Sequence, residues 1–308
     1  MNKLSAAERA RVVTALVEGN SVRATVRLTG IAKNTIAKLL VELGAACWKF
    51  QDEKIRGIKS KRVQCDEIWS FAGAKAKNVP EAKEDEWGDC WTWTALDADT
   101  KLIVSFRLGD RMLATAYDFM HDLADRLANR VQLRTAGHRV YLEAVESAFN
   151  EDIDYAMLAK IYCSNQAETR YSPAQCIGCE TKVISGTPNL KHVSTSYVER
   201  QNLTMRMSMR RFTRLTNAFS KKWENHAAMV SLYFMYYNFA RVHQTLRVTP
   251  AMQAGVTDRI WSLEDIVGLL EQSGRVRERS GKKRAVRVGY ESIVLSRNPS
   301  TDRHETNR

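Results

Sequence analysis

The sequence predicts an α/β protein in which short N-terminal helices precede a mixed β-sheet with flanking helices. Residues 5–44 repeat apolar side chains at helical spacing, and residues 63–108 contain three segments rich in β-branched and aromatic side chains. Residues 114–162 then alternate between helical and strand patterns. Strands that meander and then alternate with helices are typical of such a sheet. With 44% apolar residues, a chain of 308 residues can build a sizeable core.

The N-terminal segment predicts three short helices. Ser5 and Glu8 form a capping-box pattern at the start of the first helix. We expect the second helix from Val22 to Leu28, ended by Thr29-Gly30, and the third from Ala32 to Leu43. A Gly-containing turn between two short helices is typical of a helix-turn-helix unit, whose second helix enters the DNA major groove. A plain three-helix structural module is the alternative. The candidate DNA-binding residues of the third helix are Lys33, Asn34, Thr35 and Lys38.

The central segment carries the sheet. The strand patterns cover residues 63–71, 91–96, 102–108, 131–135 and 153–162, and the helical patterns cover residues 114–129 and 140–149. A turn at Asp97–Thr100 separates the second and third strands.

The chain after residue 193 is predicted to be almost entirely helical. Ser194 or Thr195 is expected to cap a helix that carries Glu199. The two later helices are expected at residues 221–241 and 262–270, the last with a capping box of Ser262 and Asp265.

The net charge of +12 is unevenly distributed. Residues 1–63 carry 13 basic and 5 acidic side chains, residues 64–160 carry 11 and 18, and residues 161–308 carry 23 and 12. Basic segments attract phosphate backbones through counterion release. The acidic residues within 64–160 are suited to bind divalent cations. Alternatively, their carboxylates are solvated groups on a domain surface. Between residues 275 and 287, seven basic side chains and one acidic side chain predict a flexible tail that can contact DNA.

The sequence shows no targeting or membrane segment. The most apolar segment, residues 227–237, is too short to span a bilayer, so we expect a cytoplasmic protein with no membrane partner. Six cysteines are too few for a disulfide scaffold in a chain of this length. Cys163, Cys176, Cys179 and His192 form a possible zinc site, although a single CxxC pair is a weak signal.

Acidic residues on separate elements indicate metal-assisted phosphodiester chemistry. Asp66 lies on the predicted strand of residues 63–71, and Glu199 precedes residues 200–222, which contain seven Lys or Arg and no acid. Two divalent ions are held by acids that converge from different elements, and oxygen ligands select Mg²⁺ or Mn²⁺. A third acid is expected at the end of the strand over residues 131–135, where the sequence has Ala136.

These positions lie in motifs that resemble those of DDE-type bacterial insertion-sequence transposases. The motifs, spread over residues 5–270, are Cys65–Trp69, Gly137-His138 with residues 141–145, Ser196–Asn202, and Tyr237-Asn238 with Arg241, His243, Leu246, Thr249 and Pro250. The resemblance implies an RNase H-like, retroviral-integrase-like core whose Asp, Asp and Glu bind magnesium to nick transposon ends and join them to target DNA. By this match, Asp66 and Glu199 are the first and third metal ligands, and the second catalytic Asp falls on Ala136.

Because position 136 is an alanine, we predict that this transposase-like chain is catalytically inactive. Loss of a ligand shared by both ions should lower the rate at least about 10³-fold. An engineered Asp-to-Ala change and a natural loss both fit. Four acids are possible substitutes, although we expect them to be solvated: Asp97, Asp99, Asp110 and Glu143. Two other functions are open, a non-enzymatic sequence-specific DNA-binding protein and a nuclease or resolvase of the same fold.

Basic and aromatic side chains near the acids complete the expected site. Those expected to hold phosphates are Arg200, Arg206, Arg210, Arg211 and Arg214. His243 either donates to the scissile phosphate or caps the long helix, and Trp69 and Trp87 either stack on unpaired bases or belong to the core. The resemblance implies terminal inverted repeats and target DNA as partners, and a homodimer or larger synaptic complex.

The predicted organisation has five parts. They are a helix-turn-helix domain over residues 1–44, a basic linker over 45–62, an RNase H-like catalytic domain over 63–250, a C-terminal helix within 251–273 and a basic tail over 274–308.

Overall fold

A six-stranded mixed β-sheet forms the centre of the computed structural model, which describes residues 4–162, 176–213 and 217–280. The strands are β1 (Arg62–Ala72), β2 (Gly88–Asp97), β3 (Ile103–Gly109), β4 (Gln132–Ala136), β5 (Asp154–Tyr162) and β6 (Cys176–Ser185). Their order is β3-β2-β1-β4-β5-β6. The β1–β2, β2–β3 and β5–β6 pairs are antiparallel, whereas β1–β4 and β4–β5 are parallel. This confirms the predicted α/β class with a mixed sheet.

Local chemistry explains the strand directions. The Asp97 side chain accepts hydrogen bonds from the backbone N–H groups of Asp99 and Thr100, which closes the tight turn between β2 and β3. Parallel neighbours need a longer crossover, and helices α4 (Leu113–Arg126) and α5 (Val140–Phe149) provide it on either side of β4. The strand β6 was not predicted from the sequence.

Helices cover both faces of the sheet. On one face, Trp93 of β2 contacts the rings of Phe119 in α4 and Tyr141 in α5. On the other face, Phe106 of β3 packs against Trp48 and Phe234. Because side chains alternate along a strand, Asp66 faces the second of these layers, which contains α6 (Ser196–Ser208) and α7 (Trp223–Met235).

The three N-terminal helices are present as α1 (Ala6–Val17), α2 (Val22–Thr29) and α3 (Lys33–Lys54). The Ser5–Glu8 capping box is confirmed, and Gly30 adopts the left-handed conformation, with φ 73°, that ends α2. Helix α3 continues past the expected end at Leu43, because Gly44 lies against Ala228 of α7 instead of ending the helix. Residues 45–54 of the expected linker are therefore helical and pack on the core.

The C-terminal region is helical up to the end of the described residues. After α7, one π-helical turn spans Tyr236–Ala240, followed by α8 (Pro250–Gln253) and α9 (Leu263–Ser280). The capping box of Ser262 and Asp265 is confirmed. Helix α9 passes Gly274, where the tail was expected to begin, and residues 281–308 of that tail lie outside the described residues. Within the described ranges, none of the helices combines the length and apolar character needed to cross a membrane.

Candidate active site

Gln64 fixes the helix that carries Glu199 onto the central strand. Its side-chain oxygen accepts hydrogen bonds from the backbone N–H groups of Tyr197 (3.0 Å) and Val198 (3.1 Å) in the first turn of α6. These N–H groups have no partner within a helix, so a buried side-chain acceptor on β1 is a specific anchor for the helix start. The anchor brings α6 across the face of β1 that carries Asp66.

Asp66 and Glu199 lie close enough between β1 and α6 to influence each other electrostatically. The Asn202 side-chain amide donates to Oδ2 of Asp66 at 2.8 Å, and Asn202 lies three residues after Glu199 on the same side of α6. The carboxylate of Glu199 accepts from Thr195 Oγ1 and from Lys160 Nζ, the latter at 2.5 Å. Strand β1, helix α6 and strand β5 thus each contribute a polar side chain to one place.

Ala136 lies beside Asp66. In the parallel ladder Cys65 is opposite Thr135, so Ala136, at the end of β4, follows in register with Asp66 and faces the same side. The side chain of Ala136 is half-buried and offers only a methyl group. The three positions 66, 136 and 199, far apart in the chain, therefore surround one small region.

The electrostatics of this region disfavour a charged carboxyl group at Asp66. Burial, together with the negative charges of Glu67 and Glu199, raises the pKa of Asp66 to about 7 against the opposing effect of Lys160. Glu67 points to the opposite face of the sheet, where Arg111 Nη2 lies 3.0 Å from its carboxylate. Glu199 and Lys160 are thus close enough to Asp66 to act on its protonation.

The donor set does not fit a two-metal site. A pair of divalent ions needs several oxygen ligands, and Ala136 supplies none, while Glu199 already forms an ion pair with Lys160. In the part of the chain that the structure describes, no three His, Cys, Asp or Glu side chains are grouped closely enough to hold a metal.

The four possible substitute acids are engaged elsewhere. Asp97 is buried in its turn, so our expectation that it is solvated was wrong. Asp99 pairs with Arg62, Asp110 accepts from Thr115 Oγ1 at 2.6 Å, and Glu143 accepts from Tyr117 at 2.9 Å. Each makes local structural contacts, and none of these contacts involves Asp66 or Glu199.

The basic side chains expected at phosphates differ in their surroundings. Arg200 and Arg210 are exposed and Arg206 is half-buried, whereas Arg214 lies outside the described residues. The Arg211 guanidinium donates to Ser220 Oγ at 2.9 Å and to the Asn225 carbonyl at 2.6 Å. Burial lowers the pKa of Arg211 to about 10. Arg211 thus makes internal contacts in this structure, in contrast to Arg200 and Arg210.

His243 is half-buried after the π-helical turn. Its backbone N–H donates to the Val248 carbonyl, while within the described chain its buried Nδ1 makes no hydrogen bond. Burial lowers the pKa of His243, and the positive charges of Lys101 and Arg241 lower it further. The surroundings of His243 are therefore basic, and its side chain does not cap the long helix.

The N-terminal candidates are open to solvent. Lys33, Asn34, Thr35 and Lys38 are all exposed at the start of α3, and Lys38 lies 3.9 Å from Glu42. Arg23 and Arg27 on α2 are exposed as well and were not singled out from the sequence. Their signal was the spacing of four, which places two basic side chains on one side of a short helix.

The possible zinc ligands are only partly described. Cys176 and Cys179 are exposed on β6, and the His192 ring lies 3.0 Å from Arg62 Nη1. Cys163 lies outside the described residues.

The two tryptophans pack against the chain itself. Trp69 is half-buried and contacts the ring of Phe71 at 5.7 Å between centroids. Trp87 covers Gly73, where an added methyl group would overlap its ring.

No family model matches this sequence, and no curated protein matches it.

Sequence reasoning missed three polar residues of the site. Gln64 lies beside the recognised motif Cys65–Trp69, and Asn202 ends the motif Ser196–Asn202, but no local signal in the sequence shows their distant partners. Lys160 was overlooked because it stands in a predicted strand, although a lysine between Ala159 and Ile161 is itself a signal of a buried or functional charge.

Proposed function

We propose that this chain is a transposase-type DNA-binding protein whose phosphoryl-transfer site lacks one of its three acids. The observation that carries the proposal is the meeting of positions 66, 136 and 199 from β1, β4 and α6. Acids at such positions converge on one cation site in the transposase family that the motifs resemble. In this chain Asp66 and Glu199 occupy two of those positions, and Ala136 breaks the set.

The sheet supports an RNase H-like core for this protein. Three antiparallel strands followed by two parallel strands, joined by helical crossovers, make up β1 to β5. The first acid lies within the central strand, the missing acid at the end of the adjacent parallel strand, and the third acid on a later helix. The topology and the order of the acids along the chain are those that the resemblance implies.

DNA binding rests on two sets of exposed basic side chains. Helix α3 presents Lys33, Asn34, Thr35 and Lys38 at its start, a geometry suited to a major groove. Arg200 and Arg210 are exposed on and just after α6, near Glu199, and are suited to hold the phosphate backbone without reading its sequence. The partners we propose are terminal inverted repeats and target DNA, with two or more copies of the chain because two ends must be joined.

Restoring the missing carboxylate tests the catalytic part of the proposal. We expect Ala136→Asp to raise Mn²⁺-dependent nicking of supercoiled plasmid DNA at least about 10³-fold over the parent chain. Ala136→Asn has nearly the same shape without the charge and serves as the matched control. Adding Glu199→Gln to Ala136→Asp should abolish the gain. Equal nicking by the Asp and Asn variants would count against a transposase site.

Strand transfer separates a transposase from a nuclease or resolvase of the same fold. A labelled duplex with a free 3′-hydroxyl is incubated with the Ala136→Asp variant, Mn²⁺ and a target plasmid. Joined products support the transposase, and cleavage without joining supports a nuclease.

A sequence-specific DNA-binding protein without enzymatic activity is the second candidate. The ion pair between Lys160 and Glu199, at 2.5 Å, favours it because it leaves this carboxylate satisfied without a metal ion. For this function we expect Glu199→Gln to bind DNA as tightly as the parent chain in a gel-shift assay, and Ala136→Asp to nick no DNA. Gain of nicking by Ala136→Asp would exclude it.

A further inference from the structure

Lys160 reaches the region of the acids from the neighbouring strand. Leu158 of β5 is opposite Ala136 in the sheet, and Lys160 is two residues further along β5, so both side chains lie on the face that carries Asp66. Its Nζ lies 2.5 Å from Oε2 of Glu199. The ammonium group of Lys160 therefore lies next to Glu199, in the region where Asp66 and Glu199 would bind a divalent cation.

The contacts of Glu199 explain why this ammonium is held. The side chains of Lys160 and Glu199 are 30% and 35% exposed, so the pair is partly removed from water. The second oxygen of Glu199 accepts from Thr195, which fixes the orientation of the carboxylate toward β5. A positioned, partly buried pair is stronger than a mobile surface pair, because less conformational entropy is lost and solvent screening is weaker.

Lys160 offsets one of the two negative charges of the region without a metal ion. Lys160 neutralises Glu199, and Asp66 accepts a hydrogen bond from the neutral amide of Asn202. An acid at position 136 would add a negative charge beside Asp66, which one ammonium group could not neutralise. With Ala136 in that place, position 136 adds no further negative charge to the region.

We propose that Lys160 is the resident counter-ion of Glu199 and that a divalent cation binds to Asp66 and Glu199 only by displacing its ammonium group. This inference goes beyond the proposed function, because it concerns cation occupancy and requires no DNA cleavage. It assigns Lys160 two effects of one contact: its ammonium group stabilises the carboxylate of Glu199 and keeps a divalent cation away from it.

Manganese titration of the full-length chain tests this role. Free Mn²⁺ is measured by electron paramagnetic resonance without DNA. We expect Lys160→Gln to bind Mn²⁺ about tenfold more tightly than the parent chain, or better, which corresponds to about 1.4 kcal/mol. Lys160→Met keeps the apolar stem without the charge and should give the same gain. Lys160→Arg keeps the charge and should bind as weakly as the parent chain.

Two controls separate displacement at this site from a change in overall charge. Lys49→Gln removes one positive charge from the exposed Lys49–Glu53 pair, which has the same lysine–glutamate chemistry at 3.7 Å on α3, and should leave Mn²⁺ affinity unchanged. Adding Glu199→Gln to Lys160→Gln should abolish the gain.

Three results would overturn the role of Lys160. They are equal affinities for the parent chain and both neutral variants, a gain shared by Lys49→Gln, and a gain that survives Glu199→Gln. None of them decides the proposed function, which rests on nicking by Ala136→Asp. Conversely, absence of nicking leaves the manganese result intact.

Discussion

His226 lies in the middle of a chain of hydrogen bonds that joins α7 to β1. Ser70 Oγ donates to the Cys90 carbonyl at 3.0 Å and therefore accepts from Nε2 of His226, 2.9 Å away. Nδ1 of His226 then accepts from the hydroxyl of Ser220 at 3.1 Å, which in turn accepts from Arg211. The contacts thus assign a neutral imidazole with its proton on Nε2.

This assignment leads to a pH dependence of stability. Burial lowers the pKa of His226 from 6.5 to about 3, with a further contribution from the positive charge of Arg211. A histidine with a lowered folded pKa stabilises the protein fully above the unfolded pKa, and this stabilisation is lost as the pH falls from about 6.5 toward 3.

We expect His226→Gln to remove this loss of stability at acidic pH. The free energy of unfolding is measured by urea titration between pH 7 and pH 4 for the parent chain and the variant. The parent chain should lose up to about 1.4 kcal/mol per pH unit more than the variant below pH 6. His121→Gln, at an exposed histidine, should follow the parent chain. Identical slopes for all three would mean that His226 is not held neutral by the fold.

At the scale of elements, Gly44 allows the close contact between α3 and α7. A methyl group at Gly44 would lie 2.5 Å from the carbonyl oxygen of Ala228, which is closer than van der Waals contact allows. The backbone of Ala228 cannot move away without moving α7. The Ser231 hydroxyl of α7 donates to the Gly44 carbonyl at 2.8 Å. Small residues on both helices therefore allow the backbones to approach and to exchange a hydrogen bond.

The same substitution in two helices should have opposite effects. We expect Gly44→Ala to destabilise the protein by about 1–3 kcal/mol, because overpacking forces α3 away from α7. Gly268→Ala in α9 meets no atom of the described residues within 4 Å and should stabilise the protein by about 0.5–1 kcal/mol through helix propensity. Thermal and urea unfolding of the two variants measure both signs. A stabilising Gly44→Ala would refute the close packing of α3 on α7.

Elements with a clear pattern of burial could be predicted from the sequence. Helix α5 has the predicted bounds because its apolar side chains repeat at helical spacing, and β1 agrees to within one residue at each end because the segment is rich in β-branched and aromatic side chains. Strand β6 could not be predicted, since most of its side chains are exposed and impose no alternation. The end of α3 was missed because the role of Gly44 depends on Ala228, which is far away in the sequence.

At the scale of the whole molecule, part of the acidic centre of the chain pairs with arginines. Asp122 of α4 contacts Arg126 at 2.7 Å and Arg107 of β3 at 2.9 Å. Arg126 also reaches Asp52 near the end of α3, at 2.6 Å. This network of ion pairs joins α3 to the sheet. The acid-rich composition of residues 64–160 thus reflects internal pairing as well as solvation, which composition alone could not distinguish.

The site required knowledge of the fold. The motifs indicated positions 66, 136 and 199 and predicted that they converge, but not which side chains hold the three elements together. Gln64 and Asn202 explain those contacts, and each acts through a partner more than 130 residues away. Long-range hydrogen bonds of this kind are set by tertiary structure, which leaves no local pattern in the sequence.

The most direct test of the shared site is a manganese-binding cycle at position 136. We expect Ala136→Asp to bind Mn²⁺ at least about tenfold more tightly than Ala136→Asn, and this gain to disappear when either Asp66→Asn or Glu199→Gln is added. Such coupling requires that the three side chains contact one cation. A gain that persists in both double variants, or no gain at all, would contradict the convergence of these three positions.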